Sequence, residues 1–128
     1  MADDATDSRA TEPPEVLSED SILSLEEYLD MQEAIGNETR YRILRTLTHN
    51  GDLCATELTH ALDLKANPLH YHLDRLVDVG LVQNRMRKQP GSSDFCSYYR
   101  ASALGEGILE HGVDELMRLE HEFEDAYS

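Results

Sequence analysis

Tryptophan is absent from the 128 residues, and aromatics make up only 6%. Lysine is nearly absent: Lys65 and Lys88 stand against nine arginines. The two cysteines, Cys54 and Cys96, are too few for a disulfide framework. They read as reduced thiols, which predicts a cytoplasmic protein. No apolar run approaches the ~18 residues of a membrane-spanning helix, so no membrane partner is expected. The opening MADDATDSRATEPPE is acidic and has no apolar stretch, so no secretory signal is expected. Glycine-rich phosphate loops, GxSxG, HExxH and a two-cysteine metal knuckle are all missing. Nothing nominates a catalytic centre, a metal or a cofactor, and no enzyme is expected.

What is present is acid, unevenly spread. The net charge is −15, from 26 acidic and 11 basic residues. Residues 1–38 hold twelve acids and one base, and residues 105–128 hold eight acids and one base. Residues 39–104 reverse the balance, with six acids and nine bases. DNA carries one negative charge per ~1.7 Å of axis, so the overall acidity opposes binding it. A basic middle is nonetheless the asymmetry that a nucleic-acid reader needs.

The 40% hydrophobic content supports one modest core. Residues 1–20 are rich in Asp, Glu, Ser, Thr and Pro and predict a disordered acidic tail. Ser24 and Glu27 fit a capping box, and Leu25, Tyr28, Leu29, Gln32 and Ile35 then recur at helical spacing up to Gly36. Asn37 caps a second helix that turns Ile43, Leu44 and Leu47 inward. A short third helix is predicted over 55–62, burying Leu58, Ala61 and Leu62, with a tight connection over 63–67. The fourth helix has Pro68 in its first turn, a buried stripe of Leu69, Leu73, Leu76 and Val77, and a stop at Gly80. The period then drops to two, predicting strands over 81–87 and 95–101 around a Gly/Pro/Ser turn. One long helix is expected over 102–127.

Two short helices around a tight turn form a helix-turn-helix signature. The phrases GNETRYRILRTL and ATELTHALDLKANPLHYHLDRLVDVGLVQ, followed by a basic hairpin, resemble the winged helix-turn-helix regulators of the ArsR type. The resemblance spans about residues 25–128, and the acidic, lysine-poor surface resembles the haloarchaeal branch of that group, which includes an oxidative-stress regulator. The implied fold is mainly α with a β-hairpin wing, dimeric through its terminal helices. The implied layout is a tail over 1–20, a winged helix-turn-helix domain over 21–101 and a dimerisation helix over 102–128.

A helix of this size fits the ~12 Å major groove. Burying the fourth helix's apolar stripe leaves Asn67, His70, Tyr71, Asp74 and Arg75 outside, with Lys65 before it and His72 directed at the DNA backbone. Arg85, Arg87, Lys88 and Arg100 give the hairpin its charge and predict a wing on the backbone or minor groove. The plain alternatives are a solvated amphipathic helix and an edge hairpin whose charges discourage aggregation. Leu109, Val113, Leu116, Leu119, Phe123 and Tyr127 form one apolar seam on the last helix, which predicts a homodimer interface shared with the first helix.

Metal-sensing members of the ArsR type begin their third helix with Cys-x-Cys. Here Cys54 is followed by Ala55 and Thr56, so that site is incomplete. Cys54 reads as a small buried hydrophobe or a redox thiol. His111, His121 and Glu124 approach, without matching, the zinc set that others share between last helices. No metal is therefore expected. The expected function is a sequence-specific, homodimeric regulator of transcription that binds double-stranded DNA and is adapted to high salt, with cations at the DNA interface. The alternative is a winged-helix interaction module that binds protein and not DNA.

Overall fold

Ser24 opens the first helix, α1 (Leu25–Ile35), by a reciprocal cap. Its hydroxyl accepts from the Glu27 N–H at 3.1 Å, and the Glu27 carboxylate accepts from the Ser24 N–H at 3.0 Å. The computed structural model describes residues 12–127, with side-chain burial through Glu122. Residues 1–11 of the expected tail lie outside the described residues, and residues 12–20 are exposed and form neither helix nor strand.

The second helix, α2 (Glu38–Asn50), starts where Asn37 Oδ1 accepts from the Arg40 N–H at 3.0 Å. It stops at Gly51, whose φ of +86° is left-handed territory. Helix α3 (Ala55–Leu62) begins with the Glu57 carboxylate accepting from the Cys54 N–H at 3.0 Å. It ends at Asp63, with φ of 52°, a backbone conformation that Asp tolerates better than most residues. Leu58 is buried and Leu62 half-buried, whereas Ala61 is exposed. Helix α4 (Ala66–Asp78) starts earlier than its sequence suggests. Asn67, expected in the turn, is its second residue. Pro68 is third, still within the turn whose N–H groups need no helical partner.

Strands β1 (Val82–Lys88) and β2 (Phe95–Ala101) form one antiparallel hairpin, in register from Val82 opposite Ala101 to Lys88 opposite Phe95. The first strand begins one residue late because Leu81 is committed elsewhere. Its N–H donates to Leu76 and its carbonyl accepts from Ser102, both at 3.0 Å. Leu53 adds a bridge on the far side of β2, exchanging hydrogen bonds with Tyr99 at 3.1 and 2.8 Å.

The core joins Ile43, Leu44 and Leu47 of α2, Leu58 of α3, and Leu69, Leu73 and Leu76 of α4. Leu81, Val82 and Tyr99 seal the hairpin to it. Helix α1 contributes Met31, Ala34 and Ile35, while Leu25 and Leu29 of the predicted stripe point outward at 38% and 56% exposure.

The expected single helix over 102–127 is two: α5 (Ala103–Glu110) and α6 (Val113–Tyr127). The break falls at His111 and Gly112. A Cβ on Gly112 would lie 2.3 Å from the Ile108 carbonyl oxygen, so the close approach there admits only glycine. Gly105 packs equally tightly, with space for no Cβ beside the Leu81 carbonyl oxygen. The break splits the predicted seam. Leu109 is a core residue of its own chain, 3% exposed, and not part of an open interface face. Val113, Leu116 and Leu119 on α6 are exposed, and the Phe123 and Tyr127 side chains lie outside the described burial.

Candidate nucleic-acid interface

Helices α3 and α4 meet around Asp63, Leu64 and Lys65, and the core-facing stripe of α4 decides what it offers to solvent. With Leu69, Leu73 and Leu76 inward, Asn67, His70, Tyr71 and Asp74 are exposed, Tyr71 at 69%. Lys65, just before the helix, is exposed as well.

Two residues expected at this surface turn away from it. His72 is half-buried, with Nδ1 at 3.1 Å from Arg40 Nη1. Arg75 faces α1, with Nη2 at 3.7 Å from the Glu33 carboxylate. At 100° per residue, positions 72 and 75 fall on the flank of α4 next to α1 and α2, not on the face that holds 67, 70, 71 and 74. Arginine has no acceptor, so His72 Nδ1 accepts and the ring is neutral with its proton on Nε2. Burial, and then the Arg40 charge, push the His72 pKa below its ordinary value. The Tyr71 and His72 rings meet edge to face at 5.2 Å.

Arg40 is a residue that sequence reasoning passed over. Its Nε donates to the Ala34 carbonyl at 2.7 Å, so one side chain ties the end of α1 to α4 through His72. Nothing in its spacing distinguishes it from Arg42 or Arg45.

The register sorts the wing into two faces. Gln83, Arg85 and Arg87 share one with Arg100, Tyr98 and Cys96. Asn84, Met86 and Lys88 share the other with Tyr99, Ser97 and Phe95. The Arg87 guanidinium sits 4.6 Å over the Tyr98 ring, a cation–π contact that stiffens it. Arg85 donates to Gln83 Oε1 from Nη2 at 3.2 Å. Arg100 lies 3.6 Å from Asp52, which offsets part of its charge. The Cys54 N–H holds the Glu57 carboxyl below its ordinary pKa, and Arg87 adds to that effect.

Charge pairing separates this surface from the rest of the molecule. Among the described residues, Arg42, Arg45, Arg75, Arg100 and Arg118 each have a carboxylate partner. Apart from Arg40, those without one are Lys65, Arg85, Arg87 and Lys88, all at the helix-turn-helix or the wing. Cys54 and Cys96 are free and half-buried, and no cluster of metal-ligating side chains occurs among the described residues. No helix among them is long and apolar enough to cross a membrane.

Helix, turn, helix and hairpin in this order make a winged helix-turn-helix. Residues 35–84 match a family of helix-turn-helix domains. Over 57 residues the chain is 33% identical to the arsenic resistance transcriptional regulator ArsR1 of Pseudomonas putida, covering 44% of each chain. Over 63 residues it is 36% identical to the arsenical resistance operon repressor ArsR proposed for Halobacterium salinarum, covering 48% of this chain and 49% of that one. The chain thus spans about half the length of the curated relatives it matches. Among solved structures, an ArsR-like transcriptional regulator from Rhodococcus sp. RHA1 is similar, with 25% identity, 80% of this chain and 87% of that one covered, and a TM-score of 0.53.

Proposed function

We propose that this chain is a sequence-specific, homodimeric DNA-binding regulator of transcription. The observation that carries the reading is the concentration of cations without a carboxylate partner among the described residues, Lys65, Arg85, Arg87 and Lys88, on the surface that also presents Asn67, His70 and Tyr71. Asn67 can bond an adenine edge at two points, and His70 and Tyr71 can reach bases or phosphates. Helix α4 reads the major groove, and the wing touches the backbone or minor groove. The relatives and the solved structure named above are similar in kind.

Exposed Leu25 and Leu29 of α1, Leu104 of α5, and Val113, Leu116 and Leu119 of α6 support a second copy as the cover for these helices. The sparse lysine and the net charge of −15 support adaptation to concentrated salt, as in haloarchaea, with cations seated between carboxylates such as Asp74 and the phosphates. The test is a gel shift of the full chain with a random-sequence duplex pool in molar salt, followed by selection of the retained duplexes. A shift that enriches one inverted repeat is the expected result. The absence of a shift at every salt concentration would leave the protein-binding module as the reading. An oxidative-stress role would act through Cys54 and Cys96. It predicts an oxidant-sensitive shift in the wild type that a double Cys→Ser variant lacks, and an oxidant-insensitive wild type would end it.

A further inference from the structure

The wing face that packs on the core does not end with the core. At its base Val82 and Tyr99 are buried, and further out the Ser97 hydroxyl donates to Asn84 Oδ1 at 2.6 Å. At the tip, Met86 lies opposite Ser97 and Lys88 opposite Phe95, so Met86 and Phe95 are diagonal neighbours on this face. Diagonal pairs stand ~7–8 Å apart, within reach of long side chains. Met86 is 63% exposed and Phe95 62%, leaving two large apolar side chains side by side in solvent. Met86 borders an open groove with Val77 and Gly80, at the C-terminal end of α4.

The charges around this pair select its occupant. Lys88 stands directly across from Phe95, and Arg85 and Arg87 occupy the reverse face of the same strand, none of them paired with a carboxylate among the described residues. Asp94 is the one acid beside the tip, so Lys88, Arg85 and Arg87 leave it net positive, and an apolar tip of that charge suits a partner with negative flanks and an apolar slot between them. Stacked base pairs under two phosphate backbones have that form. Proteins that enter the minor groove insert Phe and Met between base steps, unstack them and kink the duplex.

We propose that Phe95 and Met86 form a wedge that enters the minor groove next to the major groove read by α4, opening one base step and bending the DNA. Arg85 and Arg87 hold the flanking phosphates. The inference rests on the DNA-binding reading above and adds a deformation that this reading does not require.

The probe is a duplex selected from the random pool by the full chain, with a donor and an acceptor dye at its ends. Binding is followed by anisotropy and bending by energy transfer. The wild type should shorten the end-to-end distance by a bend of ~20–90°. A Phe95→Ser, Met86→Ser double variant, with its helix content checked by circular dichroism, should bind and leave the duplex straight. Phe95→Leu, which keeps an apolar tip, should bend it. Loss of all binding by the double variant also supports the wedge if Phe95→Leu still binds and bends, and overturns it if Phe95→Leu binds a straight duplex. Equal bending by wild type and double variant, or a straight duplex under the wild type, overturns the wedge and leaves DNA binding intact. A double variant that changes oligomeric state while bending DNA normally assigns the tip to a second copy and overturns the wedge. A wild type that binds no duplex at all removes the DNA-binding reading and the wedge together.

Discussion

Arg87 and Arg40 carry the same charge and serve different ends. Arg87 stands over Tyr98 on an exposed strand with no carboxylate partner among the described residues, and the proposed function puts it on phosphate. Arg87→Ala should weaken binding to all duplexes about equally, because backbone contacts position without specifying. Asn67→Ala or Tyr71→Ala should flatten the preference between sites by ~1–3 kcal/mol per lost base contact. Competition assays with matched and mismatched duplexes read both, and a changed preference from Arg87→Ala alone would reverse the groove assignment. Arg40 is spent inside the fold, on Ala34 and on a neutral His72. The unfolded imidazole has its ordinary pKa near 6.5, and the folded one is lower. Between the two values the unfolded chain binds more protons, so stability rises with pH there and is lost as pH falls through that window. Urea midpoints of the wild type should therefore drop as pH falls below about 6.5, and those of His72→Gln should drop less. Equal acid sensitivity in the two proteins would show that His72 is not the group responsible.

At the scale of elements, the break at His111 and Gly112 matters most. It separates α5, which closes the core with Leu109, from α6, whose Val113, Leu116 and Leu119 are exposed. Asp114 ties α6 to the body: the Tyr41 hydroxyl donates to its Oδ1 at 3.0 Å, and Arg45 pairs with the same carboxylate. The three exposed apolar residues lie on either side of that tie, Val113 before it and Leu116 and Leu119 after it. A Leu116→Asp, Phe123→Asp double variant should give folded monomers by light scattering, because a dimer would have to bury two carboxylates per chain. A double variant that stays dimeric would move the interface off α6.

For the molecule as a whole, the decisive quantity is the distribution of charge. An ordinary basic DNA binder loses affinity steeply with salt as counterions are released. On the proposed function, this chain would bring few free cations to the DNA, together with acidic flanks over 1–38 and 105–128. Salt weakens the attraction of the first and screens the repulsion of the second, over a Debye length of ~10 Å at 0.1 M. Affinity should therefore change little, or rise, between about 0.2 and 2 M KCl, where screening is strong. Fluorescence anisotropy with the selected duplex measures it. A steep, monotonic loss would end the salt-adapted reading and leave an ordinary winged helix with acidic ends.

Caps and short-range periodicity were legible in the sequence because their partners lie within about four residues of each other. Ser24 with Glu27, Asn37 with Arg40, the Leu69, Leu73 and Leu76 stripe and the β2 strand all follow from such spacing. The same local reading made 102–127 one helix, because an apolar residue recurs across Gly112 whether or not the chain bends there. The tertiary structure alone decided which exposed-looking residues are exposed. His72 meets Arg40 across 32 positions, and Tyr41 meets Asp114 across 73. Leu109 turns into the core because the break frees α5 to pack there, and Arg75 turns to Glu33 because α1 lies along that flank of α4. Which cations remain free for DNA depends on pairings of this long-range kind, and the order of residues along the chain carries no local mark of them.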